Sequence, residues 1–208
     1  MKKIANFIGL GVLGCLGLGL VFNAIALLIG LGDVIDALKA DGEFGFVTLL
    51  IWIISIAVAA LLILFIVFQL IKAIPNIKNI ENDEKSLFRM NIISGLLSAN
   101  MVANLLIIMI YYAAHGVDLG GQAIVRLIFL LIALGAALVS FLGKGLPKLV
   151  RVILTLVATL LVFVFFIMSI SDGATGLTMV YYVFAMLAVF GGLGYVVLEN
   201  LDAFKGQK

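Results

Sequence analysis

The sequence predicts an all-α polytopic membrane protein: a six-transmembrane-helix bundle with both ends in the cytoplasm (N-in/C-in) and one membrane domain over residues 1–208. Three observations predict it. The 208-residue chain is 65% hydrophobic and only 12% charged, with mean hydropathy +1.34. Soluble domains carry about twice that charge fraction, and a soluble fold this apolar lacks the polar residues to cover its surface. The apolar residues gather into runs of about 20, the length that crosses a hydrocarbon core of about 30 Å. Lys and Arg collect in alternate connections between those runs, which orients the chain.

The six runs are Ile4–Leu31, Phe46–Ile71, Ile92–Tyr112, Ala123–Leu142, Val152–Ile170 and Leu177–Leu198. In lipid each must satisfy its own backbone hydrogen bonds, so each is a helix. The first two are long enough to tilt or protrude. In the first run, Val12-Leu13-Gly14-Cys15 imitates a lipoprotein cleavage box and Ala24-Ile25-Ala26 the end of a signal peptide. Cutting before Cys15 leaves too short a span, and cutting after Ala26 divides one apolar run, so the segment reads as an uncleaved helix. Its small residues Gly11, Cys15 and Gly19, with Asn23 next in the series, recur every four positions and read as a packing groove. The outer connection 32–45 contains a candidate interfacial helix around Asp33, Asp36 and Lys39. Its Asp41-Gly42-Glu43 lacks the alternating acids of a calcium loop and reads as solvated. The second run ends in Leu70–Pro75 (LIKAIP) and the fourth in Leu142–Pro147 (LGKGLP). Their shared L-x-K-x-x-P suggests a duplicated hairpin, but any helix ending at the inner surface tends to collect Lys and Pro. Residues 74–91, including ENDEKSLFR, read as a solvated inner connector.

With the N-terminus inside, Lys39 and Arg126 are the only outer cations among the 13 Lys and Arg, whereas the acids divide almost evenly. Trp52, Tyr111-Tyr112 and Tyr181-Tyr182 then sit near the outer ends of their helices, where amphipathic rings favour the interface. This layout points to a bacterial cytoplasmic membrane.

Function is less legible. No Asp, Glu, His or Lys lies at a predicted midplane, which argues against a proton relay or intramembrane protease. H-E-x-x-H and G-x-S-x-G are missing, and the single histidine, His115, falls in a short outer loop. The single cysteine excludes an intrachain disulfide and a Cys-based metal cluster. The scattered cations form no nucleic-acid stripe. No catalytic residue, metal or cofactor is therefore expected; the partners are the bilayer and other membrane subunits. Asn100 and Asn104, four apart on the third span, share a face and need polar partners. Asn23, Thr155 and Thr159 are the candidates. Together with Arg126 these asparagines and Thr159 form the candidate cavity. Ser94 and Ser98 fall on the opposite side of that span, which places it at the centre of the bundle. Arg126 either snorkels to the outer interface to meet Asp118 or Asp172, or binds an anion. Ala133/Ala137, Ala136/Ser140 and Ala188/Gly192 add small-residue spacings to that of Gly11, Cys15 and Gly19.

This layout, with six helices, about 200 residues, both ends inside and the Gly11/Cys15/Gly19 spacing in the first helix, resembles the substrate-binding membrane subunits of energy-coupling-factor vitamin transporters. The resemblance implies that helical arrangement and carries no ligand or binding residue. The expectation from the residues is a non-enzymatic membrane subunit packing with partner helices in a larger assembly. The alternative is a small-solute or lipid-like substrate transporter, or its binding subunit, using the neutral polar patch.

Overall fold

A computed structural model describes residues 2–73, 85–117 and 120–204, and every regular element among them is helical. The elements are α1 (Lys2–Ile29), α2 (Leu31–Ala40), α3 (Gly42–Ala73), α4 (Lys85–Ala114), α5 (Gly120–Leu142), α6 (Lys148–Ser171), α7 (Gly176–Glu199) and α8 (Leu201–Phe204). Six of them are long and apolar enough to cross a membrane, α2 continuing from the first.

Successive spans are antiparallel. Near one end of the bundle Gly9 of α1 meets Tyr195 of α7, and the backbone N–H of Ser86, opening α4, donates to Glu199, closing α7. We refer to this as the termini end. At the far end Trp52 of α3 donates to the Leu27 carbonyl of α1 at 2.8 Å, and Phe44 of α3 packs on Tyr111 of α4 with ring centroids 5.7 Å apart. The helix α4 is central, touching α3, α5, α6 and α7, while α1 leans mainly on α7.

The α1–α7 contact is built on small residues, of which Gly19 belongs to the sequence spacing and Gly9 does not. A side chain at Gly9 would place its Cβ 2.7 Å from Tyr195 Cζ, and one at Gly19 would come 2.9 Å from Phe184 Cβ. At Gly11 and Gly14 an added Cβ meets nothing within 4 Å among the described residues beyond its own helical turn, and both glycines are exposed. The helix therefore buries the face of Ala5, Gly9, Val12, Leu13, Leu16 and Leu20, which runs obliquely to the four-residue series. Cys15 is half-buried at the edge of that face. On α7, Ala188 and Gly192 are both buried; a Cβ at Gly192 would overlap the thioether of Met90 on α4. Ala136 and Ala137 of α5 pack with Ala158 of α6.

The candidate helix of the outer connection is present as α2, which lies directly after α1 and buries Val34, with Lys39 3.4 Å from Asp36 on its exposed side. Its turn into α3 needs Gly45, because a Cβ there would lie 2.4 Å from Leu38 Cα. The inner connection departs from the sequence reading. Residues 85–91, expected in a solvated connector, form the first turns of α4, and Ser86, Leu87, Arg89, Met90 and Asn91 are buried. The charges of KSLFR mask a helical start whose apolar residues Leu87 and Met90 face the core. The rest of that connector, 74–84, lies outside the described residues, as does the end of the first L-x-K-x-x-P segment.

Candidate functional site

The structure separates the sequence candidates into three places. At the far end Arg126 pairs with Asp172 through its Nη1 and Nη2, the Nη2 contact being 3.0 Å. This is the snorkelling partner anticipated from the sequence; Asp118 lies outside the described residues. The Arg126 hydrogen bond holds the Asp172 carboxyl below its ordinary value of 3.8, against a smaller opposing effect of burial. Nearby, His115 Nε2 lies 3.3 Å from Glu43 and its Nδ1 lies 2.8 Å from the Tyr111 carbonyl.

At mid-depth, Asn104 Nδ2 donates to Ser55 Oγ of α3 at 3.2 Å. Its partner is thus neither Asn23 nor a threonine of α6. The carbonyl oxygens of Asn100 and Asn104 are both buried without a hydrogen-bond partner among the described residues. Asn23 is half-buried on α1, which touches α2, α3 and α7 most closely, and it is not joined to this pair by a hydrogen bond. Thr159 faces another side of α4: its Oγ1 lies 3.2 Å from Ser94 Oγ and donates to the Thr155 carbonyl at 2.7 Å. Ser98, one turn on from Ser94, has a buried hydroxyl with no partner among the described residues.

The densest polar chemistry lies at the termini end, where the sequence reading placed no site. Arg89, 7% exposed, donates through Nε to Gln69 Oε1 of α3 (3.2 Å) and through Nη1 to the Tyr195 hydroxyl of α7 (3.1 Å). Beside it, the Asn200 amide nitrogen donates to Ser86 Oγ and to the Val196 carbonyl, each at 2.9 Å. These bonds tie α3, α4 and α7 together. They give a buried guanidinium neutral oxygen acceptors, which partly replace its lost hydration.

A second chain of bonds joins α4, α5 and α6. Asn91 Nδ2 donates to Ser140 Oγ (2.8 Å), and Thr155 Oγ1 donates to Asn91 Oδ1 (3.0 Å). Ser140 Oγ and Thr155 Oγ1 are 2.9 Å apart. Arg151 Nε donates to the Ser140 carbonyl at 3.2 Å. Beside this chain of bonds is a cavity of about 320 Å³ lined by Phe88, Asn91, Phe141, Lys144 and Arg151. Phe88 packs between Phe65 of α3 and Phe141 of α5, with centroids 6.0 and 5.9 Å away, so an aromatic row flanks the opening. Below the row, Lys148 reaches Asp202 of α8 at 2.9 Å, and this bond holds the Asp202 carboxyl below its ordinary value.

The arrangement therefore offers one cationic, aromatic-edged cavity at the termini end, one neutral polar pair at mid-depth and one closed ion pair at the far end. Comparison of the chain with protein-family models, with curated proteins and with solved structures finds no match.

Proposed function

We propose that the chain is a non-enzymatic integral membrane subunit, oriented N-in/C-in, whose first helix packs against a partner helix in a larger assembly. The observation that supports this reading is the division of the small residues of α1. Gly9 and Gly19 are taken up by α7, whereas Gly11 and Gly14 remain bare on the opposite face. Glycine weakens a helix interior relative to alanine by about 0.5–1 kcal/mol. In the membrane that cost is offset where the absent side chain lets two backbones approach. The bare pair lies between exposed Phe7 and Leu18, so a partner would find a shallow notch with apolar shoulders. The orientation rests on the positive-inside bias, which places Lys72, Lys144, Lys148 and Arg151 on the cytoplasmic side.

Replacing Gly11 and Gly14 together by leucine tests the reading. The isolated chain should keep its thermal stability, while the assembly extracted from native membranes in mild detergent should fall to the mass of the single chain. An unchanged assembly mass would overturn the assignment.

A second reading has an observation of its own. The carbonyl oxygens of Asn100 and Asn104, buried and without a partner among the described residues, favour a polar occupant beside α4, as in a small-solute or lipid-like substrate carrier or its binding subunit. Under that reading, Asn100→Leu with Asn104→Leu abolishes solute binding or flux while the bundle stays folded. If binding and flux persist, the pair serves only to pack.

A further inference from the structure

We propose that His115 and Glu43 form a pH-dependent clasp at the far end of the bundle. It joins the end of α4 to the start of α3 while the imidazole carries a proton and loosens once the ring is neutral. The inference goes beyond the helix-packing role of α1 and uses none of its residues.

Hydrogen-bond geometry carries it. His115 Nδ1 lies 2.8 Å from the Tyr111 carbonyl oxygen, which can only accept, so Nδ1 bears a proton. On the other side of the ring, Nε2 lies 3.3 Å from Glu43 Oε2. The Glu43 side chain is 82% exposed, and a solvated glutamate is a carboxylate above about pH 5, again an acceptor only. A neutral imidazole has one N–H for these two acceptors, and its bare Nε2 lone pair would face the carboxylate. The imidazolium has an N–H for each. Two further contacts favour the cation. The Tyr111 ring lies alongside, with centroids 4.3 Å apart, within reach of cation–π attraction. His115 also directly follows Ala114, the last residue of α4, where the unpaired carbonyls of the helix end carry partial negative charge.

The clasp sits at the corner where α2 turns into α3. Phe44, next to Glu43, packs on Tyr111 with centroids 5.7 Å apart, so the ring contact and the ion pair draw the same turn of α3 onto the end of α4. The other charges on this side are engaged elsewhere. Asp41 accepts the Phe44 backbone N–H at 3.2 Å, Asp36 of α2 pairs with Lys39, and Arg126 of α5 is bonded to Asp172. Asp33 of α2 and Tyr112, whose ring meets Tyr111, are the remaining titratable groups of these elements. Among the described residues Glu43 is the one carboxylate within ion-pair distance of His115; Asp118 lies outside them. His115 is the single histidine of the chain, and histidine is the side chain that ordinarily exchanges its proton between about pH 5 and 8. In the N-in/C-in orientation proposed above, the clasp answers to the pH outside the cell.

The test is hydrogen–deuterium exchange of the purified full chain in detergent at about pH 5.5 and 7.5, on either side of the ordinary histidine value. It is read by mass spectrometry and corrected for intrinsic rates with unstructured peptides. The peptides of interest contain Gly45, whose N–H bonds the Asp41 carbonyl, and Val117, whose N–H bonds the Tyr112 carbonyl. Both should be about 2- to 5-fold better protected at the lower pH, the size of one exposed charged pair. The peptide containing Arg126 should not change. Local exchange is the readout because a pair of this size opens helix ends without moving the global transition. Both side chains are exposed, so Glu43→Gln and His115→Gln keep the fold, and each should abolish the pH dependence. Equal protection at the two pH values, greater protection at the higher one, or a pH dependence that survives either substitution overturns the clasp.

Discussion

Gly9 and Gly11 are two residues apart on α1, yet the structure predicts opposite consequences for the same substitution. In Gly9→Ala the new Cβ would stand 2.7 Å from Tyr195 Cζ and 3.0 Å from each adjacent ring carbon. Carbon atoms settle at about 3.5–4.0 Å, so ring and helix must separate by roughly 0.8 Å. Tyr195 is fully buried and its hydroxyl holds Arg89 at 3.1 Å, so the ring cannot withdraw without stretching that bond. Overpacking costs about 1–3 kcal/mol. Weakening a hydrogen bond between spans adds about 0.6–2 kcal/mol. Alanine's better helix propensity returns about 0.5–1 kcal/mol. The net expectation is a loss of about 1–4 kcal/mol. Gly11→Ala, whose Cβ meets no described residue within 4 Å beyond its own helical turn, should be neutral or stabilising by up to about 1 kcal/mol in the isolated chain. The assay is SDS titration of the purified chain in mixed micelles, followed through the fluorescence of the single tryptophan, Trp52. Tyr195→Leu should relieve part of the Gly9→Ala cost, so the double variant loses less than the sum of the singles. A neutral Gly9→Ala beside a destabilising Gly11→Ala would refute the account of the α1–α7 contact.

Other expectations follow from the same contacts. Phe166, fully buried with ring centroids 5.6 Å from Tyr182 and 6.3 Å from Tyr181, should cost about 3–5 kcal/mol when cut to alanine, measured by the same titration. Arg89→Met should cost about 1–3 kcal/mol by stripping Gln69 and Tyr195 of their donor, and Arg89→Met combined with Gln69→Leu and Tyr195→Phe should recover part of it. The carboxyls of Asp172 and Asp202 lie below their ordinary value in the folded chain, each through a bond to a cation. Their contribution is therefore complete above the ordinary aspartate value and is lost as pH falls through the lowered ones. Thermal stability should stay level from neutral pH down to about 5 and fall below about 4, and Asp172→Asn should flatten part of that acid limb.

The number and place of the spans were legible in the sequence because lipid imposes one rule on every residue of a span: long apolar runs must be helices. The pairing of Arg126 with an outer acid was legible for a similar reason, since a long cation near an interface has few acids within reach; that the acid is Asp172 rather than Asp118 was not. The polar partners at depth were not. Asn104 bonds Ser55, a residue of no special pattern in IWIISIAVAA, because the rotation of α3 against α4 selects it, and rotation is a property of the packed bundle. The termini-end cluster was missed through a boundary error. Charge in residues 85–91 masked a helix start, and with it Ser86, Arg89 and Asn91, three of the buried polar groups that tie α4 to its neighbours. The alternation of Leu87 and Met90 with those polar residues, at helical spacing, was the available signal. The small residues of α1 show the same limit: spacing identified the helix that packs by close approach, whereas the face that does so follows Gly9 and Gly19 and leaves Gly11 bare.

The proposed role of that bare face can be measured directly. A photoreactive amino acid placed at Gly14, where no described residue beyond its own helical turn lies within 4 Å of a Cβ, is irradiated in native membranes and compared with one at Gly9, which faces α7. The account predicts that Gly14 crosslinks to one discrete protein partner, another subunit or a second copy, while Gly9 crosslinks only within the chain. Adducts at Gly14 with lipid alone, and with no protein, would contradict it.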